Sequence, residues 1–459
     1  MKKNDIVTLK IEQINNLGYG VAHVTENGDA NGLVVFVSNA VTGDVVDARI
    51  IKVNKSYLIA RIERLIVESP LRSPTACPAA GCGGCVYKNI LYEHELELKQ
   101  DYVKNAFRKA GLLDVAVEPV LSNRVVSGYR NKAQYPVGHS KGGIIAGFYA
   151  NGTHRIVHAP FCDLQPPLFG QILEYICAFC DYHKLRAYDE ESGKGLLRHV
   201  YLRNTTDMRE VMVCLVLNAE GFPLERKLAE GIAERFPNVK SVMVNVNTEK
   251  TNVILGERYR LIYGREWIED TLCGLHFRIS AGAFYQVNHD MCEMLYQTAA
   301  ERAALRKGST VLDLYCGIGT IGLSMAEKAD KVIGIEIVEE AVACAKENAK
   351  LNGISNAYFY CGDATHTQKL LENAESVHGD VSDAVVIMDP PRKGSTPELI
   401  DYLAKRGFSR IVYVSCNPDT LARDCALFRD HGYAIGTVTP VDMFPRTGHV
   451  ESVVCLTRK

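Results

Sequence analysis

A cysteine, two carboxylates and a glycine-rich loop are the residues of this chain best suited to chemistry. Cys416 closes the apolar run "IVYVSCNP", where Asn417-Pro418 forces the chain out of a strand and presents the thiol at its end. A thiol is only a few per cent ionised at pH 7, yet that fraction is strongly nucleophilic, and nearby positive charge enlarges it. Taken alone, the cysteine fits packing as well as catalysis. Asp389 stands in "IMDPPRKG", where two prolines end a strand ladder and turn the chain out at the sheet edge on which open α/β folds bind ligands. The bland alternative is a strand-ending turn without chemistry. "FPRTGHVESV" supplies His449 and Glu451. Glu451 is the better general base, because a carboxylate held in an apolar cleft can be tuned toward neutral pH; an ordinary surface carboxylate is the alternative.

"VLDLYCGIGTIGLSMA", Val311 to Ala326, reads as a strand, then Gly317, Gly319 and Gly322, then a helix. Glycines in this GxGxxG pattern allow a tight turn and close backbone approach to a ligand. Glu336 ends the next strand in "VIGIE", where a carboxylate can take both ribose hydroxyls of a nucleoside. A nicotinamide enzyme would show much the same pattern. Asp313 inside the first strand and Asp363 in "CGDA" after the third favour S-adenosylmethionine. In the S-adenosylmethionine folds that the segment resembles such acids face the cofactor, whereas a dinucleotide needs its helix amino terminus to meet pyrophosphate.

A third group is "CPAAGCGGC", which spaces Cys77, Cys82 and Cys85 as C-x4-C-x2-C, with Cys162 in "APFCDL" as the candidate fourth thiol. Such thiols suit a soft metal centre, and zinc and a [4Fe-4S] cluster both accept four of them, so spacing does not choose. The total of 15 cysteines is odd, and in a reducing compartment argues for metal sites, catalysis or packing before disulfides. Cys177, Cys180, Cys214, Cys344 and Cys455 lie in apolar periodic segments and read as packing.

The elements that must position these groups fall into three segments. A length of 459 residues suggests about three domains at roughly 150 residues each, and a hydrophobic content of 47% supports sizeable cores. Residues 1–66 alternate apolar and polar in short runs ("LVVFV", "VVDARIIKV", "YLIARIERLI") between Gly, Asn and Asp turns, the pattern of an OB-like β-barrel. Such modules commonly hold single-stranded nucleic acid, but 8 Lys plus Arg against 7 Asp plus Glu make an interaction barrel of unknown partner the plainer reading of these residues alone. Residues 67–270 hold the cysteine group, a mixture of strands and helices, and "YEHELELKQDYVKNAFRKAG". There Leu98, Tyr102, Phe107 and Ala110 predict an amphipathic helix closed by Gly111. From 271 to 459, strand-like runs alternate with helical stretches, which predicts a doubly wound parallel α/β sheet. The start "MKKNDIVTLK" lacks the apolar core of a secretory signal, and the longest apolar runs, such as "VMVCLVL", are strand-sized, so a cytoplasmic protein with no membrane partner is expected. Net charge is −2, from 52 Lys plus Arg against 54 Asp plus Glu, so nucleic-acid binding would have to be local.

Taken in order, "YRNKAQYPV", "GFYANGTHRIV", "FRISAGAFYQVN", "DLYCGIGT", "DPPRKG", "SCNP" and "GHVE" make nearly the whole chain resemble the bacterial RNA uracil-5 methyltransferases, specifically the iron–sulfur enzymes that form 5-methyluridine in 23S ribosomal RNA. The resemblance implies an α/β chain: a Rossmann-like class I S-adenosylmethionine-dependent methyltransferase domain (271–459) after an OB-like TRAM barrel (1–66) and a central α+β iron–sulfur domain (67–270). It also implies that helix 92–111 packs on the catalytic domain. Cys416 is then the nucleophile and Glu451 the base. Gln286, Tyr315, Glu336 and Asp389 contact S-adenosylmethionine, with Asp363 a further cofactor residue, and Asp389 is expected to touch the flipped base as well. Cys77, Cys82, Cys85 and Cys162 would hold a [4Fe-4S] cluster, with zinc as the alternative, although some relatives have one more residue between the first two cysteines.

The implied chemistry has a clear need for the thiol. Carbon-5 of uracil is too weak a nucleophile to attack a sulfonium methyl, so a thiolate must add at carbon-6 and create an enolate. Relatives that methylate cytosine carry a second cysteine where this chain has Asp-Pro-Pro, which favours uracil. The expected partner is RNA, unpaired at the target because flipping a base is least costly in loops. The chain is expected to act as a monomer. A transfer-RNA uridine is the alternative target. Outside this class, an inactive RNA-binding protein and a nicotinamide oxidoreductase are the rivals, and "DPPR" with "SCNP" would have no task in the latter.

Overall fold

The computed structural model describes residues 1–24, 32–74, 77–79, 81–362 and 367–459, which fold around three large sheets and one two-stranded ribbon. The first sheet comprises the strands Ile6–Lys10, Gln13–Ile14, Tyr19–Val24, Leu33–Ser38, Val45–Val53 and Tyr57–Val67, of which the last three bury alternate residues. Val35 and Val37, Val46, Ala48 and Ile50, and Leu58 and Ala60 point into one core, while their neighbours are more exposed. Ile6–Lys10 also touches Tyr19–Val24 although other strands separate them in the sheet, so the sheet curls on itself.

The second sheet runs Arg258–Gly264, Val239–Val246, Val211–Leu217, Leu197–Asn204, Lys132–Ser140, Gly143–Tyr149, Ile156–His158. Helices Pro167–Tyr182 and Glu225–Arg235 cover one face, packing Phe169, Ile172 and Ile232 on Tyr135, Leu202 and Val213. From the other face Tyr201, Met212 and Met243 join Phe277, Met291 and Leu295 of the carboxyl-terminal region in a shared core. With both faces covered, the run "VMVCLVL" is buried at every position and needs no polar alternation.

The third sheet is ordered Ala357–Cys361, Lys331–Glu336, Thr310–Leu314, Val385–Met388, Arg410–Ser415, Glu451–Arg458, Tyr433–Ile435. Its first five strands are parallel, and Glu451–Arg458 runs antiparallel against Arg410–Ser415. The strand order reverses between Thr310–Leu314 and Val385–Met388, which opens a crevice at the carboxyl ends of these strands.

Helix Tyr92–Lys109 packs against helix Pro418–Asp430, and its Val103, Ala106 and Phe107 share a core with Leu312, Ile333 and Tyr413 of the third sheet. Gly111, at φ +78°, closes it. Its buried face differs from the expected stripe: Phe107 is buried, but Leu98, Tyr102 and Ala110 are only half-buried, and Glu95 and Lys99 are inside at 0% and 1% exposure. The two charges can lie inward because Asp442 and the carbonyl of Phe444 meet them there. Among the described residues no helix is long and apolar enough to cross a membrane.

Candidate active site

Strand register gathers the chemistry. Ser415 pairs with Ser452 across the antiparallel ladder, so Cys416, which follows the first, and Glu451, which precedes the second, leave the same end side by side. Leu314 pairs with both Met388 and Ile335, which brings the next residues, Tyr315, Asp389 and Glu336, to the same edge. Gln286 arrives from the segment before helix His289–Ala303, held by Asn131 Nδ2 donating to its carbonyl (2.9 Å) and by Asn288, which caps that helix by accepting from the Met291 N–H. All six residues line one cleft of about 620 Å³. Asp363 lies outside the described residues.

The glycine loop is shaped for close backbone approach. Tyr315, Gly317 and Gly319 have φ of 65°, 55° and 84°. A Cβ on Gly317 would have nothing within 4 Å, so the backbone is bare toward the cleft. Glu336 is fixed between two amides, accepting from Gly317 N (3.0 Å) and Val338 N (2.9 Å). Bare backbone and an oriented carboxylate suit the nucleoside of S-adenosylmethionine. Asp313 corrects the expectation that it faces the cofactor. It is 1% exposed, is absent from the cleft wall, and fastens the loop from below by accepting the Gly322 N–H at 2.9 Å. Burial, partly offset by that bond and reinforced by the charges of Asp389 and Glu336, pushes its carboxyl to about 7.

Electrostatics separate the thiol from the base. Burial, then the charges of Glu451 and Asp389, push the Cys416 thiol up to about 11, with Arg392 opposing. The negative neighbours outweigh Arg392, so the site holds the thiol toward its protonated form. Glu451 is 4% exposed; burial and the Asp389 charge raise its carboxyl, against Arg392, and burial raises Asp389 too. Asn417 links the two motifs: Nδ2 donates to the Arg392 carbonyl (3.0 Å), and Oδ1 accepts from Asp419 N (3.1 Å) at the start of helix Pro418–Asp430.

The segment from Asp442 to Glu451 carries Phe444, His449 and Glu451 into the cleft and is anchored by residues that sequence reasoning missed. Lys99 Nζ donates to Glu95 Oε1 (2.7 Å), Asp442 Oδ1 (2.7 Å) and the Phe444 carbonyl (3.1 Å). Glu95 accepts from Arg446 N (2.7 Å), Tyr92 OH donates to Asp442 (2.6 Å), and Tyr129 OH to the Pro445 carbonyl (2.9 Å). The available signal was spacing: Glu95 and Lys99 are four apart and continue the stripe of Val103 and Phe107.

Cys77, Cys82, Cys85 and Cys162 all line a separate cavity of about 120 Å³, walled by Phe148, Ala159 and Leu164. Burial and the neighbouring thiols push Cys85 up to about 12, and burial pushes Cys162 to about 11. The four thiols thus border one shared space, and the donor set suits a soft metal centre.

Comparison with known proteins decides the family. Residues 92–459 match the tRNA (Uracil-5-)-methyltransferase family, and residues 2–62 the TRAM domain. The chain belongs to this family. As an RNA (uracil-5-)-methyltransferase it uses S-adenosylmethionine and acts on RNA, and its fold is the class I methyltransferase fold with an amino-terminal TRAM β domain. It is 40% identical to an uncharacterized RNA methyltransferase of Bacillus cereus, over 100% of this chain and 98% of the relative. Another in Halalkalibacterium halodurans is also 40% identical, with the same coverage. The crystal structure of the Pyrococcus abyssi tRNA (uracil-54, C5)-methyltransferase in complex with S-adenosyl-L-homocysteine superposes with a TM-score of 0.77 at 26% identity, covering 98% of this chain and 100% of that one.

Proposed function

We propose that this methyltransferase modifies carbon-5 of an unpaired uridine in 23S ribosomal RNA, with Cys416 as nucleophile and Glu451 as base. The observation that carries the reading is the register that sets Cys416 beside Glu451 on a cleft shared with Asp389 and Glu336. S-adenosylmethionine, held by Gln286, Tyr315, Glu336 and Asp389, supplies the methyl group and a sulfonium charge. Cys416 loses its proton as its sulfur bonds to carbon-6 of uracil, and the ring electrons move onto carbon-5 and the adjacent carbonyl. That proton passes to the carboxylate of Asp389, so Glu451 stays ionised for the later step. Carbon-5 takes the methyl carbon as the sulfur–methyl bond breaks. Glu451 then removes the carbon-5 proton, the carbon-5 to carbon-6 double bond re-forms, and the Cys416 thiolate leaves. A raised carboxyl suits this base, because its conjugate acid must hold the proton until release.

The four cysteines, which line one cavity, are read as ligands of a [4Fe-4S] cluster because the iron–sulfur enzymes that the sequence resembles carry one there, with zinc as the alternative. Its role here is to fasten the central region and shape the RNA surface. We divide the chain into a TRAM barrel (1–66), a central iron–sulfur and RNA-binding domain (67–270) and a catalytic domain (271–459), and read the protein as a cytoplasmic monomer. Four gathered cysteines behind a TRAM module support ribosomal RNA, since that is the pattern of the iron–sulfur enzymes the sequence resembles. The Pyrococcus protein, named for uridine 54 of transfer RNA, favours a transfer-RNA target as the second reading.

The test is incubation with labelled S-adenosylmethionine and unmodified 23S ribosomal or transfer RNA, followed by mapping of the methylated nucleoside. Label confined to transfer RNA would overturn the ribosomal target. RNA containing 5-fluorouracil, whose fluorine cannot leave as a proton, should trap the wild-type chain covalently. A trapped Cys416→Ala chain would show that the nucleophile is elsewhere.

A further inference from the structure

The central sheet carries a second large cavity, about 660 Å³, which methyl transfer does not use. Strand Leu197–Asn204 links it to the catalytic cleft. Near one end of that strand, Arg203 donates to the carbonyls of Ser280 (3.1 Å) and Ala283 (3.0 Å), just before Gln286. Further back on the same face, His199 lines the cavity. At about 3.3 Å per residue, the separation along the strand is on the order of 13 Å.

The walls are built in advance of any ligand. Tyr149 is stacked on His154 with ring centroids 5.0 Å apart, and Glu190 holds both, accepting from Tyr149 OH (3.3 Å) and bonding His154 Nδ1 (2.6 Å). The Tyr188 ring lies 4.3 Å from the Arg198 guanidinium. Arg198 is buried and donates to the carbonyls of Asn247 (2.8 Å), Glu249 (2.7 Å) and Thr251 (3.0 Å). The loop bearing Tyr149 and His154 sits on the cysteine segment: Gly83 N donates to the Tyr149 carbonyl (3.0 Å), and a Cβ on Gly83 would come within 2.8 Å of the Asn151 backbone. Rings fixed in this way lose little freedom on binding.

The charge of the lining selects the ligand. Its charged lining is Asp189, Glu190 and Glu191 with Arg155 and Arg198, and His139, His154 and His199 stand beside them; Arg198 is bonded to carbonyl oxygens, Asp189 to Ser192, and Glu190 to Tyr149 and His154. Three carboxylates against two guanidiniums leave the formally charged side chains of the lining at net −1, which disfavours a phosphate. A nucleobase with an exocyclic amine could instead donate to a carboxylate edge and lay its face on a tyrosine. We propose that this cavity receives an unpaired amino-bearing base, adenine, guanine or cytosine, from the same RNA whose uridine enters the catalytic cleft. The proposal rests on the RNA-methyltransferase reading and adds a second point at which substrate is read.

Tyr188→Ala in the full chain tests it, assayed with labelled S-adenosylmethionine on unmodified RNA. The expected result is a KM for RNA raised about tenfold, with kcat at saturating RNA unchanged and Tyr188→Phe close to wild type. With the wild-type enzyme, abasic replacement of one amino-bearing nucleotide near the target should produce the same loss, and the two losses should not add. An unchanged KM in Tyr188→Ala, fully additive losses, or no single sensitive nucleotide for the wild type would each overturn the proposal. Any of these with wild-type methylation intact removes the second base site alone. A wild-type chain that methylates neither RNA would instead remove the catalytic reading.

Discussion

A Cβ atom on Gly448 would stand 1.8 Å from the carbonyl oxygen of Asn16, so the turn after strand Gln13–Ile14 is packed directly on the loop that leads to Glu451. Tyr87 OH holds the same turn, donating to the Asn15 carbonyl at 3.1 Å. The TRAM module therefore braces the catalytic loop in addition to whatever RNA it holds. Gly448→Ala must push the two apart. A shift of about 1 Å at a reacting group can lower rate about a hundredfold, and that is the expected fall in kcat. Affinity for S-adenosylmethionine, measured by calorimetry, should stay unchanged because Glu336 and Gln286 lie on other elements.

Lys99 is the buried cation between Glu95 and Asp442. Lys99→Met leaves two buried carboxylates without their partner and should lower stability by about 3–5 kcal/mol, read from denaturant unfolding. Replacing Glu95, Lys99 and Asp442 together by apolar residues of similar size should recover most of that stability. It should not recover kcat, because Phe444 and Arg446 lose their anchors. Full recovery of both would reduce the trio to packing.

The pH profile should show the raised base. Glu451 must be ionised to accept the carbon-5 proton, so kcat/KM should rise with pH through a value displaced above the ordinary carboxylate of about 4.3. Arg392 lowers both Glu451 and Cys416; Arg392→Met removes that help and should move the acidic limb to higher pH. A limb that moved to lower pH would contradict the assigned electrostatics. Glu451→Gln should accumulate the methylated covalent adduct with ordinary uridine RNA, visible as a slower band on denaturing gels.

Purified without oxygen, the chain should carry about four irons and the broad visible absorbance of a cluster bound by four thiolates. Cys162→Ala should lose that absorbance. Zinc at about one equivalent per chain, with no visible band, would replace the cluster by a single-ion site.

Much of this fold could be read from the chain because its motifs end strands. "DLYCG", "IMDPP" and "YVSCNP" each end an apolar, strand-forming run with residues that break the ladder, so the sheet edge and the residues on it were legible together. The alternation of residues 33–60 likewise marked the first sheet. Asp313 misled because a strand-borne acid beside a glycine loop can face either way, and only the Gly322 N–H shows which. Lys99 and Asp442 are 343 residues apart, and no local pattern announces that they meet. The dominance of Glu451 and Asp389 over Arg392 at the thiol also depends on three-dimensional distance.

Helix Tyr92–Lys109 and its partner Pro418–Asp430 have a consequence for synthesis. Roughly 300 residues separate them, which at ribosomal speed is on the order of 15–60 s between the emergence of the first and of the second. Through that interval Val103 and Phe107 lack the Pro418–Asp430 part of their core, and Lys99 has no Asp442. The reaction centre can close only after the strand Glu451–Arg458 has been translated, so a ribosome stalled short of that strand releases a chain that lacks Glu451 and is no working enzyme.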